Sequence, residues 1–126
     1  MPSIQLSRIT AVMLGVRDLE QSIGFYKDKL GLKVVMQEPS LALLDCGGVM
    51  LGLSRGHVNL APHVAGATEV VFAVENVRGV NRALKETGVV FMSEPRQATP
   101  TDWVAHFKDP DGHILSIFGP EGHREL

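Results

Sequence analysis

An internal duplication constrains the fold of this 126-residue chain more than any other feature of its sequence. An apolar strand-like run, a candidate helix N-cap and a helix-ending glycine occur twice in the same order. The N-cap candidates Asp18 and Asn76 lie 58 residues apart, and the glycines Gly31 and Gly88 lie 57 apart, so the two helices are predicted to differ in length by one residue. Because caps, terminators and their order all recur, the sequence predicts two copies of one structural module.

Each copy has the pattern of a strand, a helix and three further strands. The predicted strands are 9–16, 32–37, 41–44 and 49–53 in the first copy and 68–74, 89–92, 103–108 and 113–118 in the second. Module one covers about residues 8–54, a polar linker covers 55–67, module two covers 68–119 and a tail follows at 120–126. We therefore expect one α+β domain in which two tandem βαβββ modules form a curved mixed sheet around a cleft, with the helices on its outer face.

Size and charge narrow the functional classes. The chain is long enough for one hydrophobic core, and its net charge of −2 offers no basic face for nucleic acid or anionic lipid. Its apolar runs are strand-length, well short of the ~20 residues of a membrane helix, and the N-terminus lacks a signal-sequence pattern. We expect a cytoplasmic protein. Cys46, the only cysteine, excludes an intramolecular disulfide and is interpreted as a small residue near a turn.

Two motifs resemble a known family. Residues 16–32 read VRDLEQSIGFYKDKLGL and residues 107–117 read FKDPDGHILSI. Together with the duplication they are similar to the vicinal oxygen chelate superfamily, which includes glyoxalase I, fosfomycin-modifying enzymes, extradiol dioxygenases, methylmalonyl-CoA epimerase and bleomycin resistance proteins. The resemblance covers nearly the whole chain and implies the fold. It does not imply one activity, because this fold serves many chemistries.

The resemblance also implies where a metal ion would bind. In metal-dependent members the first and last strands of each module supply His, Glu or Gln ligands, and the motifs place those four positions at Ala11, Gly52, Glu69 and Ser116. Ala and Gly carry no donor atom, and a neutral serine hydroxyl is a poor ligand for such ions. We therefore predict no metal site and no cofactor.

The alternation of side chains along the strands predicts an apolar cleft. Small residues on the inner strands should leave room for a ligand, and two methionines could repack around it. The predicted ligand-binding residues are Ala11, Met13, Met50, Gly52, Val71, Ile114, Ser116 and Phe118. Trp103 lies on the opposite face of its strand, so a stacking role for it is doubtful.

Two titratable residues are candidates for chemistry. Glu69 is predicted to lie among apolar side chains, where a carboxylate loses hydration and needs a partner, and it could be a general base or a ligand anchor. His106 should face the same cleft, because it alternates with Phe107 along its strand. The alternatives are a Glu69 at the sheet edge and a His106 with a structural hydrogen bond only. The other histidines are predicted to be solvated, and these are His57, His63, His113 and His123.

Two functional classes remain open. The first is metal-independent binding of a small hydrophobic or aromatic molecule, as in resistance or sequestration proteins. The second is a glyoxalase-like or dioxygenase-like enzyme, either with non-standard metal ligands or metal-free with Glu69 as general base and His106 as its acid–base partner. From the family resemblance we also expect a homodimer in which modules of two chains combine around two equivalent clefts.

Overall fold

The computed structural model describes residues 9–56 and 68–122. The first module contains strand β1 (Ala11–Gly15), helix α1 (Leu19–Gly24) with a π-helical turn (Phe25–Lys29), and strands β2 (Lys33–Glu38), β3 (Leu41–Asp45) and β4 (Met50–Ser54). The second module contains β5 (Glu69–Ala73), α2 (Val77–Glu86), β6 (Arg96–Gln97), β7 (Trp103–Lys108) and β8 (Ile114–Gly119). The predicted linker beyond Gly56, the end of the tail, and His57, His63 and His123 lie outside the described residues.

The strands form two mixed sheets with the same topology. The N-terminal sheet has the order β1-β4-β3-β2, and the C-terminal sheet has the order β5-β8-β7-β6. In each sheet the first and last strands of the module pair in parallel, and the other pairings are antiparallel. The repeated order confirms the predicted α+β fold of two tandem βαβββ modules, with the sheet divided into two four-stranded halves.

The predicted helix boundaries are confirmed by the capping contacts. The Asp18 carboxylate accepts a hydrogen bond from the backbone N–H of Gln21 at 3.0 Å, and Asn76 accepts one from Gly79 at 2.8 Å. Gly31 and Gly88 adopt positive φ angles of 78° and 99°, the left-handed conformation that ends a helix.

The π-helical turn explains why the two helices differ in length by one residue. A π turn is the structure that a single extra residue forms inside a helix. It lies at Phe25–Lys29 in the first module. Both Phe25 and Tyr26 are buried there, although a regular helical stripe would direct only Tyr26 inward.

The predicted strand 89–92 is wrong. In this segment only Phe91 pairs with the sheet, through an isolated bridge to Phe107. The edge strand that pairs with β7 is instead the two-residue β6, where Arg96 lies opposite Val104 and Gln97 lies opposite Trp103. Val90 is 83% exposed, so the apolar composition of this segment does not reflect burial in the sheet.

The two modules share one hydrophobic core. Its buried members come from both helices and from alternate residues of the inner strands of both sheets, and include Leu14, Leu19, Leu53, Val77, Phe107 and Leu115. In the described ranges no helix is long and apolar enough to cross a membrane.

Polar contacts between the modules centre on the turn between β7 and β8. The buried Tyr26 hydroxyl donates to Oδ2 of buried Asp109 at 2.7 Å, and Asp111 accepts hydrogen bonds from the Ser22 hydroxyl and the Arg17 backbone N–H. His113 was predicted to be solvated, but it is half-buried, and its Nε2 lies 2.7 Å from the Gly15 carbonyl oxygen. That prediction is wrong because the turn is covered by the first module.

Replacing Tyr26 by Phe should lower the free energy of unfolding by about 1–3 kcal/mol, because the buried Asp109 carboxylate loses a hydrogen-bond donor. The same contact should make the free energy of unfolding depend on pH in the alkaline range. Burial, reinforced by the Asp109 charge and hydrogen bond, raises the pKa of Tyr26 above its ordinary value. The unfolded tyrosine ionises near pH ~10, so the contact stabilises fully below that pH and less as the pH rises above it.

Urea unfolding at several pH values measures the free energy of unfolding of the wild type and of Tyr26→Phe. The difference between the two should become smaller above pH ~10. Tyr26 is the only tyrosine, so tyrosinate absorbance reports on it alone. In the native protein that absorbance should appear only together with unfolding. Ionisation of Tyr26 at its ordinary pKa in the folded protein would contradict a buried contact with Asp109.

Candidate functional site

A cavity of about 430 Å³ lies on the C-terminal sheet, on the face away from the shared core. Most of its wall is apolar, and its polar groups lie close together. The lining residues are Glu69, Val71, Arg96, Ala98, Val104, His106, Ser116 and Phe118.

Strand alternation places most of these side chains on one face. Residues of even number on β7 and β8 point into the cavity, whereas Ala105, Phe107, Leu115 and Ile117 point into the core. The register sets His106 opposite Ser116 and Val104 opposite Phe118. β8 pairs with β7 on one side and with β5 on the other, and Val71 of β5 lies opposite Ser116. The cavity floor is therefore a continuous patch across three paired strands.

Glu69, His106 and Ser116 form a hydrogen-bonded group in this patch. Nδ1 of His106 lies 3.1 Å from Oε2 of Glu69, and the Ser116 hydroxyl donates to Oε1 of Glu69 at 3.2 Å. Both carboxylate oxygens of Glu69 therefore have a protein partner. The side chains of Glu69 and His106 are 35% and 21% exposed, so the pair borders the cavity without being sealed from it.

Arg96 extends the group on the other side of the imidazole. Its Nη2 lies 3.4 Å from Nε2 of His106. A guanidinium has donors and no acceptor, so Nε2 of His106 must be the acceptor in this contact. The ring proton is then on Nδ1, which donates to Glu69. The two contacts together fit the Nδ1–H tautomer of His106, with the ring oriented between a cation and a carboxylate.

The structure brings together five of the residues that the sequence predicts for the site. Glu69, His106, Val71, Ser116 and Phe118 all line the cavity. Ile114 lies on the same strand face but is buried, with 9% of its surface exposed, and is absent from the lining.

The four predicted residues of the first module lie elsewhere. Ala11, Met13, Met50 and Gly52 belong to the N-terminal sheet, on the face opposite its buried core residues, and none of them contributes to this cavity. Gly52 does not leave the predicted open space, because a Cβ atom there would collide with the sulfur of Met13. The Met13 side chain therefore fills the space above Gly52.

Three lining residues were not predicted. Val104 could have been, because it alternates with His106 two residues along the same strand. Arg96 and Ala98 could not, because they follow the misplaced strand 89–92, and no periodic pattern in this polar segment indicates that it returns to the sheet.

The residues at the family's metal positions do not fit a metal ion. Ala11 and Gly52 have no donor, and the Ser116 hydroxyl and both oxygens of Glu69 are engaged with one another or with His106. Within residues 9–56 and 68–122 no group of three or more His, Cys, Asp or Glu side chains is arranged to hold an ion.

Cys46 is outside the cavity and is half-buried. Burial and, to a smaller extent, the neighbouring Asp45 charge raise the pKa of its thiol. A raised pKa disfavours the nucleophilic thiolate, which fits the interpretation of Cys46 as a structural residue.

Comparison with known proteins gives consistent matches. Residues 8–117 match the model of the Glyoxalase/Bleomycin resistance protein/Dioxygenase superfamily. A bleomycin resistance protein of Geobacillus stearothermophilus is 28% identical over 83% of this chain and 91% of its own length. Glutathione transferase FosA of Serratia marcescens is 27% identical over 89% of this chain and 80% of its length. The crystal structure of TnmS3, an antibiotic binding protein from Streptomyces sp. CB03234, superimposes with a TM-score of 0.78 at 22% identity, over 94% of this chain and 99% of that one.

Nitrogen NMR, recorded at a pH where histidines are neutral, should show the His106 proton on Nδ1, whereas His113 should carry its proton on Nε2 because that atom donates to a carbonyl oxygen. Arg96→Met removes one of the two contacts that favour this form, so the fraction of the Nε2–H form should rise while Glu69 still holds part of the population as Nδ1–H. His113 in the same spectrum is the internal control. An unchanged tautomer fraction in the variant would show that Arg96 does not contribute to it.

Proposed function

This chain belongs to the Glyoxalase/Bleomycin resistance protein/Dioxygenase superfamily, and from that membership we propose that it binds a small hydrophobic or aromatic molecule in the cavity of the C-terminal sheet, without a metal ion. The observation that carries the proposal is the combination of a mostly apolar wall with a carboxylate whose two oxygens are already hydrogen-bonded. A ligand site of this kind encloses an apolar body and orients it with a few polar groups.

The relatives include a resistance protein and an enzyme. The bleomycin resistance protein aligns over most of both chains, and so does the glutathione transferase FosA, so similarity alone favours neither a binding protein nor an enzyme. The residues at the family's metal positions argue against metal-dependent chemistry. Two of the four family metal positions hold Ala11 and Gly52, which leaves too few ligands for tight binding of an ion.

Metal-free acid–base catalysis is the second candidate. The contact of 3.1 Å between the His106 imidazole and the Glu69 carboxylate favours it, because such a pair can accept and return a proton at a bound substrate. In that case Glu69 would be the general base toward an acidic C–H or O–H, and His106 would hold or relay the proton. A reaction would then depend on the ionised carboxylate, whereas binding would not.

We further propose that two chains pair to complete each site. The outer face of the N-terminal sheet carries half-buried apolar side chains, among them Met13, Leu43 and Met50. Apolar patches of this kind on a sheet are covered in stable proteins. The cavity of a single chain is lined from the C-terminal sheet alone, so the apolar face of a second chain is a matching cover for it.

Val71→Trp should weaken binding of the neutral aromatic probe N-phenylnaphthylamine by about tenfold or more, because the indole fills the cavity. Val71 is 52% exposed on a strand, so the substitution should leave the fold intact. Glu69→Gln should change the affinity without abolishing it. Titration calorimetry measures both effects.

Val90→Trp is the matched control, because Val90 is exposed and does not line the cavity. It should bind the probe as the wild type does. A binding site elsewhere would leave Val71→Trp unaffected and overturn the proposal. Turnover of a substrate that Glu69→Gln abolishes while binding persists would favour the acid–base candidate instead.

Light scattering after size-exclusion chromatography should give a mass of twice the 13.7 kDa of one chain. Leu43→Lys should shift the protein toward monomer, because it places a charge on the apolar face of the N-terminal sheet. Val90→Lys adds the same charge at an exposed position outside that face and should remain dimeric. A wild-type monomer at micromolar concentration would contradict the pairing.

A further inference from the structure

Arg96 is the one cationic side chain among the residues that line the cavity, and its charge indicates which aromatic ligands the cavity favours. We infer that the ligand class is an aromatic molecule bearing an anionic substituent, such as a sulfonate, carboxylate or phenolate, that pairs with Arg96. This inference rests on the proposed binding function and specifies its ligand.

The guanidinium of Arg96 retains most of its hydrogen-bonding capacity. It has five N–H donors, and its contact with Nε2 of His106 at 3.4 Å engages only one of them, on Nη2. In the part of the chain that the structure describes, no carboxylate lies within ion-pair distance of Arg96. Arg96 is exposed at the rim of the cavity, so its remaining donors are accessible to a ligand, and the Glu69 carboxylate contacts His106 and Ser116 rather than the guanidinium.

The carboxylate in the same cavity does not make it selective for cations. Both oxygens of Glu69 already accept hydrogen bonds, one from Ser116 and one from His106. A cationic ligand would have to compete for the remaining lone pairs while its charge approached Arg96. An anionic group at Arg96 meets a charge with unused donors and forms charge-assisted hydrogen bonds.

The apolar part of the wall fits the rest of such a ligand. Val71, Val104 and Phe118 lie on adjacent strands of the cavity floor, next to the polar group. A flat ring system can cover these side chains while a substituent at its edge reaches the guanidinium. Phe118 offers an aromatic face for offset stacking.

Two probes of the same shape separate charge from shape. Anilinonaphthalene sulfonate and N-phenylnaphthylamine share one aromatic framework, and only the first carries an anionic group. Titration calorimetry on the full chain should show the sulfonate binding about fivefold to tenfold more tightly than the neutral compound, as one partly solvated charge-assisted contact implies.

Arg96→Gln should remove this preference, because glutamine keeps a donor for His106 but loses the charge. Arg96→Lys should retain it, since the cation is preserved. Arg55→Gln is the matched control, because Arg55 is an exposed arginine that does not line the cavity. It should leave the affinities of both probes unchanged.

The outcomes separate this inference from the function it rests on. Equal binding of the two probes to the wild type, or a preference that survives Arg96→Gln, would overturn the inference while leaving the cavity a hydrophobic binding site. Absence of binding by either probe would overturn both. We expect the wild type, Arg96→Lys and Arg55→Gln to prefer the sulfonate. We expect Arg96→Gln to have lost that preference.

Discussion

Asp109 is buried where the two modules meet, and its Oδ2 accepts a hydrogen bond of 2.7 Å from Tyr26 of the first module. Its Oδ1 accepts hydrogen bonds from the backbone N–H groups of Asp111 and His113. One carboxylate therefore both shapes the turn between β7 and β8 and attaches it to the π-helical turn of the first module. These two strands carry His106, Ser116 and Phe118. The positions of the cavity side chains therefore depend on a contact that lies on the other face of the sheet.

The sequence predicts the parts of this structure that follow from local rules. N-caps, left-handed glycines and the period-two alternation of strands each depend on a few neighbouring residues. These features predict the two modules, and the alternation predicts that Glu69 and His106 share the face of the sheet away from the core. Long-range packing is not encoded in this way. The side chain of Met13 fills the space over Gly52, and Arg96 reaches His106 from an edge strand of two residues, so neither contact has a signature in the pattern.

Glu69 illustrates why the chemistry of a residue depends on its partners more than on its burial. From the sequence, a carboxylate among apolar neighbours is a candidate base, because desolvation disfavours its charge. In the structure the Ser116 hydroxyl and the His106 ring donate to its two oxygens. A carboxylate held by two hydrogen bonds has a fixed orientation and fewer free lone pairs to offer to a substrate proton. The arrangement supports binding more directly than it supports proton transfer.

The duplication also separates polar and apolar residues between the two sheets. Ala11 and Glu69 occupy equivalent places in the first strands of the two modules, 58 residues apart. The first module has an apolar residue there and the second a carboxylate, so the polar groups are concentrated on the C-terminal sheet. The N-terminal sheet then presents Met13, Leu43 and Met50, which suit close packing over an aromatic surface. In the pairing proposed above, this apolar face would lie opposite the charged floor, exclude water around the guanidinium of Arg96 and strengthen its pairing with an anionic group.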